Sequence, residues 1–396
     1  MSMKKRVLVT MGGYLPAQNY GGPVVSVTNL TELIGDLFDI YILTTNHEYQ
    51  QKEPLPCLKA GWNKVGKAKV MYLADKDITY STLKMVVNEI KPDLIYQNSL
   101  YDYMLSLPVL RLARADPNIS VILAPRGEIS EYSLSVRGGR KKAYIAFVRM
   151  FLMGKNVFFQ ATSQKEKEDI LKYMKIKQDK LVFVENCATL TNMSIDPPIK
   201  KKGEAKLIYF ARIHVQKNLL GALQSLHNIK GEVFYEVYGP LEQKDYWEIC
   251  QREIEKLPLN IHVTYHGAVA HDMVYDCFSQ SHALFMPTLN IENYGHTVVE
   301  AIMAERPSII SNRTPWSDMP SHGAGWVYPA EDTDSYQQAV QCLVDMTNEE
   351  YRQMVGNVKK YKEEKFNLNE LRDKYKDEFL RVIKSTKICK IGRAHV

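Results

Sequence analysis

Along the first half of the chain, short runs of β-branched and aromatic residues alternate with longer stretches whose apolar residues recur every three or four positions. The first pattern is that of a strand and the second that of an amphipathic helix. Strands are predicted near Arg6–Thr10, Asp39–Leu43, Lys69–Leu73, Leu94–Gln97, Val121–Ala124, Val157–Gln160 and Leu181–Val184. One of the intervening helices opens at Ser163, whose spacing to Glu166 is that of a capping box. The alternation stops at residues 191–204, TNMSIDPPIKKKGE, where two prolines, a basic triplet and a glycine have the composition of an exposed linker. It restarts with KLIYFARI and continues through strands at Glu232–Tyr238, Ile261–Tyr265, Ala283–Met286 and Ser308–Ser311, and a helix is predicted over Asn367–Ile383. Strands and helices in strict alternation predict parallel sheets wrapped by helices, hence two doubly wound, Rossmann-like α/β domains. The expected boundaries are 1–190 for the first, 191–204 for the linker, 205–366 for the second and 367–390 for a terminal helix.

In doubly wound sheets ligands sit outside the carboxyl ends of the strands, so the residues after each strand are where chemistry is sought. The first strand runs into MGGYLPAQNYGGPVVSVTNL, a loop with glycines at 12, 13, 21 and 22, and Pro23 stands at a plausible first helical position. Glycine lets backbone approach a ligand, and the helix behind Gly21 and Gly22 offers unpaired N–H groups to an anion. A long loop also needs glycines simply to turn. The spacing is neither G-x-G-x-x-G nor a P-loop, which disfavours a standard dinucleotide or ATP site.

The first strand of the second domain ends in Phe210-Ala211-Arg212, and Lys217-Asn218 follows five residues later at the start of a helical run. A planar guanidinium and a point charge at one strand mouth suit a diphosphate that gains charge as it leaves. A solvated strand-end arginine and a surface lysine are the plain alternative. Further on, the strand ALFMP leads into NIENYGHTVVEAIMAERP, with Glu292 on a loop and Glu300 about one turn into a helix expected over 296–304. Backbone N–H groups from Tyr294, Gly295, His296 and Thr297 are placed to meet a diphosphate at that helix start, with Asn293 beside them among the donor-binding candidates. Glu292 is then the acceptor for sugar hydroxyls and Glu300 for ribose hydroxyls, against the plainer reading of two acids complementing a helix dipole.

Composition narrows the class. With 396 residues, 45% of them hydrophobic, the chain can bury large cores, and its length fits about two to three domains. No apolar run approaches the roughly 18 to 20 residues that span a bilayer, and the N-terminus passes into a strand without a secretory-type stretch, so a cytoplasmic protein is expected. The six cysteines are scattered, with no C-x-x-C pair and no zinc spacing, which argues against a disulfide framework or a structural metal. A net charge of +6, concentrated in residues 137–142 and 200–202, is too sparse and too poor in interleaved aromatics for a nucleic-acid face. It would serve a phosphate-bearing ligand or an anionic membrane equally. The run KKAYIAFVRMFLM over 141–153 stays open between a buried helix with a solvated basic end, the favoured reading, and a helix lying on the inner membrane surface.

Together these residues resemble the family 4 retaining glycosyltransferases of the GT-B fold, whose two Rossmann-like domains face a central cleft. The resemblance covers most of the chain and is strongest from Lys206 to Met319. It rests on FAR-x4-KN, on E-x7-E from Glu292 to Glu300, on AIMAERPSIIS and on TPWSDM. It implies that Arg212 and Lys217 hold the donor diphosphate, that Glu292 contacts the donor sugar, and that Glu300 contacts the ribose. It further implies that Gly21 and Gly22 lie near the donor phosphates, that Arg126 and Gly127 of LAPRGEIS lie on the acceptor side, and that the terminal helix packs back across the cleft. A nucleoside diphosphate sugar would be the donor and a glycan or lipid-linked saccharide the acceptor, in surface polysaccharide assembly, with no cofactor and no metal. The chain departs from the family pattern in reading Glu292-Asn293-Tyr294-Gly295-His296 at the first acid and Glu185-Asn186-Cys187 before the linker.

A nucleotide-sugar epimerase shares the architecture and the diphosphate site, and a non-catalytic nucleotide-sugar-binding protein is the other competitor; product analysis separates transfer from both. The histidines at 214, 262, 266, 271 and 282 read as ordinary loop and strand-end residues, since no two share metal-ligand spacing on a helix face. The terminal IGRAHV, residues 391–396, looks like the translated start of a sequencing adapter and is left out of the functional reading.

Overall fold

The computed structural model describes residues 4–17, 19–135, 138–188, 195–269 and 273–391. The chain divides into two compact units, one of residues 1–190 with 368–396 and the other of residues 191–367. Arg137, His271, part of the expected linker and nearly all of IGRAHV lie outside the described residues.

The first unit is built on an eight-stranded sheet in the order β3-β4-β2-β1-β5-β6-β7-β8. Its strands are β1 Lys5–Thr10, β2 Phe38–Thr45, β3 Trp62–Val65, β4 Ala68–Leu73, β5 Leu94–Asn98, β6 Ser120–Ala124, β7 Val157–Ala161 and β8 Leu181–Phe183. All pair in parallel except the edge strand β3, which runs antiparallel to β4. β5, β6 and β7 are buried at every position, so they read as mainly apolar runs without alternation, as strands covered on both faces do. β3 is missing from the sequence reading because WNKV is a four-residue hairpin arm with no run long enough to register a period. The terminal helix Leu368–Ile391 belongs to this unit. Tyr375, Phe379, Val382 and Ile383 enter the core around Val7, Val9 and Tyr96, and the Tyr375 hydroxyl donates to Glu185 O at 2.8 Å.

The second unit carries a six-stranded parallel sheet in the order β11-β10-β9-β12-β13-β14. Its strands are β9 Glu204–Phe210, β10 Glu232–Tyr238, β11 Ile261–Gly267, β12 Ala283–Met286, β13 Ser308–Ser311 and β14 Gly325–Tyr328. Only the short edge strand β14 escapes the sequence pattern. The segment expected as an exposed linker is, from residue 195 on, packed onto this unit. Lys200 is 2% exposed and its ammonium donates to the carbonyls of Lys201, Val344 and Met346, while burial lowers its pKa to about 8. Arg306, wholly buried, donates to the carbonyls of Ile195, Asp196, Phe278 and Ala304. The basic triplet looked solvated because composition cannot reveal carbonyls supplied from residues more than a hundred positions away.

Among the described residues, no helix is long and apolar enough to cross a membrane.

Candidate active site

Each sheet has one point where the strand order reverses, and such points are where open α/β sheets bind ligands. In the second unit the reversal lies between β9 and β12, since β10 and β11 follow β9 to one side and β12 returns to the other. The loop after β9 makes a short turn over Val215–Lys217 and reaches Asn218, which holds a left-handed conformation with φ 57°. Asn is one of the few residues that adopt it readily. Its amide donates to Pro287 O at 2.9 Å and Ala330 O at 3.1 Å, so the asparagine of the Lys-Asn pair ties this loop to the end of β12 and to the loop after β14. Gln216 O accepts from Leu289 N, Asn290 N and the Thr288 hydroxyl, which locks the two strand-end loops together.

That lacing brings Lys217 onto Glu292. The two form an ion pair, each side chain about one-sixth exposed, and the Thr288 hydroxyl, whose one proton is shared with Gln216 O, lies 3.3 Å from the same Glu292 oxygen, Oε1. Oε2 carries no partner among the described residues. Glu292 N donates to Arg313 O at 2.8 Å, and Arg313 in turn holds Leu289 O. Arg212 stands more openly at the end of β9, paired through Nη1 with Glu242 from the loop after β10. Partial burial, with Arg212 and Lys217 nearby, holds His214 below its ordinary pKa against the pull of Glu242. Its Nδ1 accepts from Gln216 N, so His214 serves the turn as a neutral cap.

The helix expected over 296–304 runs from His296 to Met303. Gly295, with φ 71°, precedes it and provides no side chain to cap it, a backbone conformation that a β-carbon would strain. Thr297 pins the helix start to the end of β9 by donating to Phe210 O at 2.8 Å. Trp316, from TPWSDM, donates its indole N–H to Tyr294 O at 2.7 Å and so fixes the approach to Gly295. Asn293 and His296 flank Tyr294, whose ring meets that of His296 edge-on. Glu300 lies one turn in and is 6% exposed. A cation pair, a carboxylate with one free oxygen and a helix N-terminus without a side-chain cap therefore converge on one strand-end crevice.

In the first unit the reversal lies between β1 and β5. Gly21, with φ 70°, precedes the helix Gly22–Ile34, again without a side-chain cap, and among the described residues nothing lies within 4 Å of where its β-carbon would be. Gly13 is required by Tyr20, whose ring would overlap a β-carbon at 2.1 Å. Opposite this loop, Asp102 Oδ2 is buried 3.0 Å from the β-carbon position of Gly12, with no hydrogen-bond partner among the described residues. Burial pushes its carboxyl up to about 6. Glu128 shapes the same corner by accepting from Ser99 Oγ, Leu100 N and Tyr101 N. Burial raises it to about 7 against those three donors, which favour the ionised form.

Arg126 does not reach outward. Its guanidinium donates to Asn98, Asn186 and the Tyr96 hydroxyl, and Gly127 N donates to Glu166 at 2.7 Å. Both residues brace the loop instead of presenting free groups. Glu166, expected to cap a helix, also takes Thr162, while Ser163 accepts from Glu166 N as the spacing predicted. Asp102, Glu128, Glu242 and Arg313 were not singled out by the sequence. Only topology brings them to strand ends, although the position of Asp102, four residues past a strand, was a usable signal.

Residues 194–361 match the family model described as glycosyl transferases group 1. Comparison with curated proteins gives no match. Among solved structures, the chain is similar to sucrose-phosphate synthase (tll1590) from Thermosynechococcus elongatus, at 14% identity and TM-score 0.72, covering 96% of this chain and 100% of that one. It is similar to Anabaena Alr3699/HepE, solved in complex with UDP and glucose, at 12% identity and TM-score 0.69, over 94% and 98% of the two chains. It is also similar to WaaG, a glycosyltransferase involved in lipopolysaccharide biosynthesis, at 13% identity and TM-score 0.66, over 94% and 98%. At such identities the likeness is one of fold. The fold is that of the GT-B glycosyltransferases, and the segment holding Arg212, Lys217, Glu292 and Glu300 is the one that matches glycosyl transferases group 1.

Proposed function

We propose that the chain is a retaining glycosyltransferase of family 4 type. It transfers a sugar, a hexose on this reading, from a nucleoside diphosphate to a hydroxyl of a glycan or lipid-linked saccharide in surface polysaccharide assembly. The observation that carries the reading is the meeting of Lys217 with Glu292 beside the helix that Gly295 opens, at the β9/β12 reversal. A leaving diphosphate gains negative charge as the glycosidic bond breaks. Arg212, Lys217 and the helix N-terminus stabilise that charge without reorganising, which lowers the barrier electrostatically. Glu292, held by Lys217 and Thr288, keeps Oε2 for a sugar hydroxyl. Glu300 takes the ribose, and Asn293 to Thr297 line the phosphates. In the first unit, Gly21 and Gly22 leave the start of the helix Gly22–Ile34 open to a phosphate, and Arg126 and Gly127 shape the acceptor side.

This scheme uses no metal ion, so turnover survives exhaustive chelation with EDTA; loss of activity restored by a divalent cation would count against it. The central test is purified protein with a panel of nucleoside diphosphate sugars and saccharide acceptors. A new glycosidic bond with the donor's anomeric configuration, read by NMR, supports the proposal. An inverted free nucleotide sugar would make the protein an epimerase, and donor binding without any product would make it a binding protein.

A further inference from the structure

We propose that a cleft at the amino end of the first sheet binds a pyranose that carries a carboxylate or a phosphate. The cleft, of about 490 Å³, is lined by Arg6, Tyr41, Trp62, Lys64, Lys69 and Glu89, together with Ile90. Its volume lies within the roughly 300–1,000 Å³ of small-molecule sites. Arg6 and Lys69 are each the second residue of their strand, β1 and β4, and Glu89 and Ile90 end the helix Tyr80–Ile90. Thr10, which leads into the glycine loop, closes β1 four residues beyond Arg6, roughly 13 Å along the strand. The cleft is therefore separate from the strand-end crevices described above.

Register shows that the cleft favours an anion. Lys64 of the edge strand β3 is paired directly with Lys69 of β4, and Lys69 with Tyr41 of β2. Like charges directly opposite one another destabilise a sheet. A single lysine on β3 would protect the sheet edge from pairing with another chain, but Lys69 lies one strand inward, where there is no edge to guard. Neither ammonium pairs with an acid among the described residues, and Lys69 Nζ lies instead 5.2 Å from the centre of the Tyr41 ring. Arg6 donates Nη1 to Ile90 O at 2.6 Å, which offsets the negative end of that helix, and its Nη2 has no partner among the described residues. Glu89 accepts from the Trp62 indole N–H at 3.0 Å, while Asp39, opposite Arg6 in register, is outside the lining. Three cations thus face one carboxylate. The aromatics select the shape of the ligand. Tyr41 and Trp62 meet at 80° with centroids 5.2 Å apart, so they form a corner and not the parallel pair that would sandwich a flat base. A pyranose offers C–H groups to such a ring face, rim hydroxyls to Glu89, and its anionic substituent to Lys64, Lys69 and Arg6. This inference stands apart from the glycosyl transfer reading, since it concerns binding alone.

The test is calorimetry of the full chain with glucose 6-phosphate, glucuronic acid and trigalacturonic acid, beside glucose and inorganic phosphate as controls. At least one anionic saccharide is expected to bind at least about tenfold more tightly than either control, as lost hydrogen bonds to a charged group imply. Preference between the monosaccharides and the trisaccharide shows whether the source is a free sugar or a unit of a chain. Lys64→Gln/Lys69→Gln should weaken that binding at least about tenfold. Without ligand this variant should melt no lower than the native chain, because the repulsion between the two lysines is gone. Lys64→Arg/Lys69→Arg should retain binding, and Lys217→Ala should leave it unaltered, which places the ligand here and not in the crevice after β9. No binding of the three saccharides, equal binding of glucose or inorganic phosphate, or loss with Lys217→Ala would overturn the proposal. So would lower melting with unaltered affinity in Lys64→Gln/Lys69→Gln, since the lysines would then serve the hairpin alone.

Discussion

Lys217 and Glu292, seventy-five residues apart, form an ion pair at the mouth of the second sheet because Gln216 and Thr288 bind the loops that carry them. The pair sets the cation proposed for phosphate against the carboxylate proposed for sugar, so each fixes the other's position.

Lys217→Ala or Arg212→Ala should lower turnover roughly 10²- to 10³-fold, the range for removing one preorganised donor to a charge that grows in the transition state. Thermal stability should move little for Arg212→Ala, since an exposed pair such as Arg212–Glu242 contributes at most about 1 kcal/mol. Steady-state transfer with each variant and with the double mutant checks this; near-native turnover in the double mutant removes both residues from the site.

The two glutamates should separate kinetically. Glu292→Gln is expected to depress turnover and blur discrimination between donor sugars, because a contact that strengthens as the bond breaks acts on rate. Glu300→Gln is expected to weaken binding of the free nucleoside diphosphate roughly 10- to 100-fold, as befits a lost hydrogen bond to a charged group. Calorimetry beside transfer kinetics reads both, and the opposite pattern would reverse the two roles.

Glu128 should leave a signature in stability against pH. Its folded pKa is raised from 4.5 to about 7, so the folded state binds the proton more tightly than the unfolded chain. The stabilisation is complete below about pH 4.5 and is lost as pH rises through about 7, amounting to on the order of 3 kcal/mol. Urea melts at about pH 4 and about pH 8 should show Glu128→Gln losing that part of the slope while keeping an oxygen for Leu100 N and Tyr101 N. An unchanged slope would mean that Glu128 titrates normally.

Arg306→Leu should destabilise the second unit by about 3 kcal/mol, because the buried carbonyls of Ile195, Phe278 and Ala304 and the partly buried one of Asp196 lose their donor. Arg306→Lys should rescue only part of it, since one ammonium cannot reach carbonyls on separate segments in a fixed fork. Chemical denaturation of the three proteins decides, and full rescue by lysine would show that charge alone suffices.

The sequence by itself determined the α/β class, twelve of the strands to within two residues or so at their ends, and the helix that begins at His296. These are legible because a doubly covered strand must be an apolar run and a helix must repeat near 3.6, constraints that act on neighbours in the chain. The candidate residues after β9 and β12 were also readable, since the rule that ligands sit at strand ends needs only strand positions. Tertiary structure alone decided the rest. The edge strands β3 and β14 are too short to show a period and are defined by the partners they pair with. Lys200 read as part of a solvated basic run until the carbonyls of Val344 and Met346 surround it, and the donors of Arg126, expected on the acceptor side, go to Tyr96, Asn98 and Asn186. The aromatic face at 147–151 could not be placed inside or outside by its pattern, because an amphipathic helix states which residues share a face but not which face the core accepts.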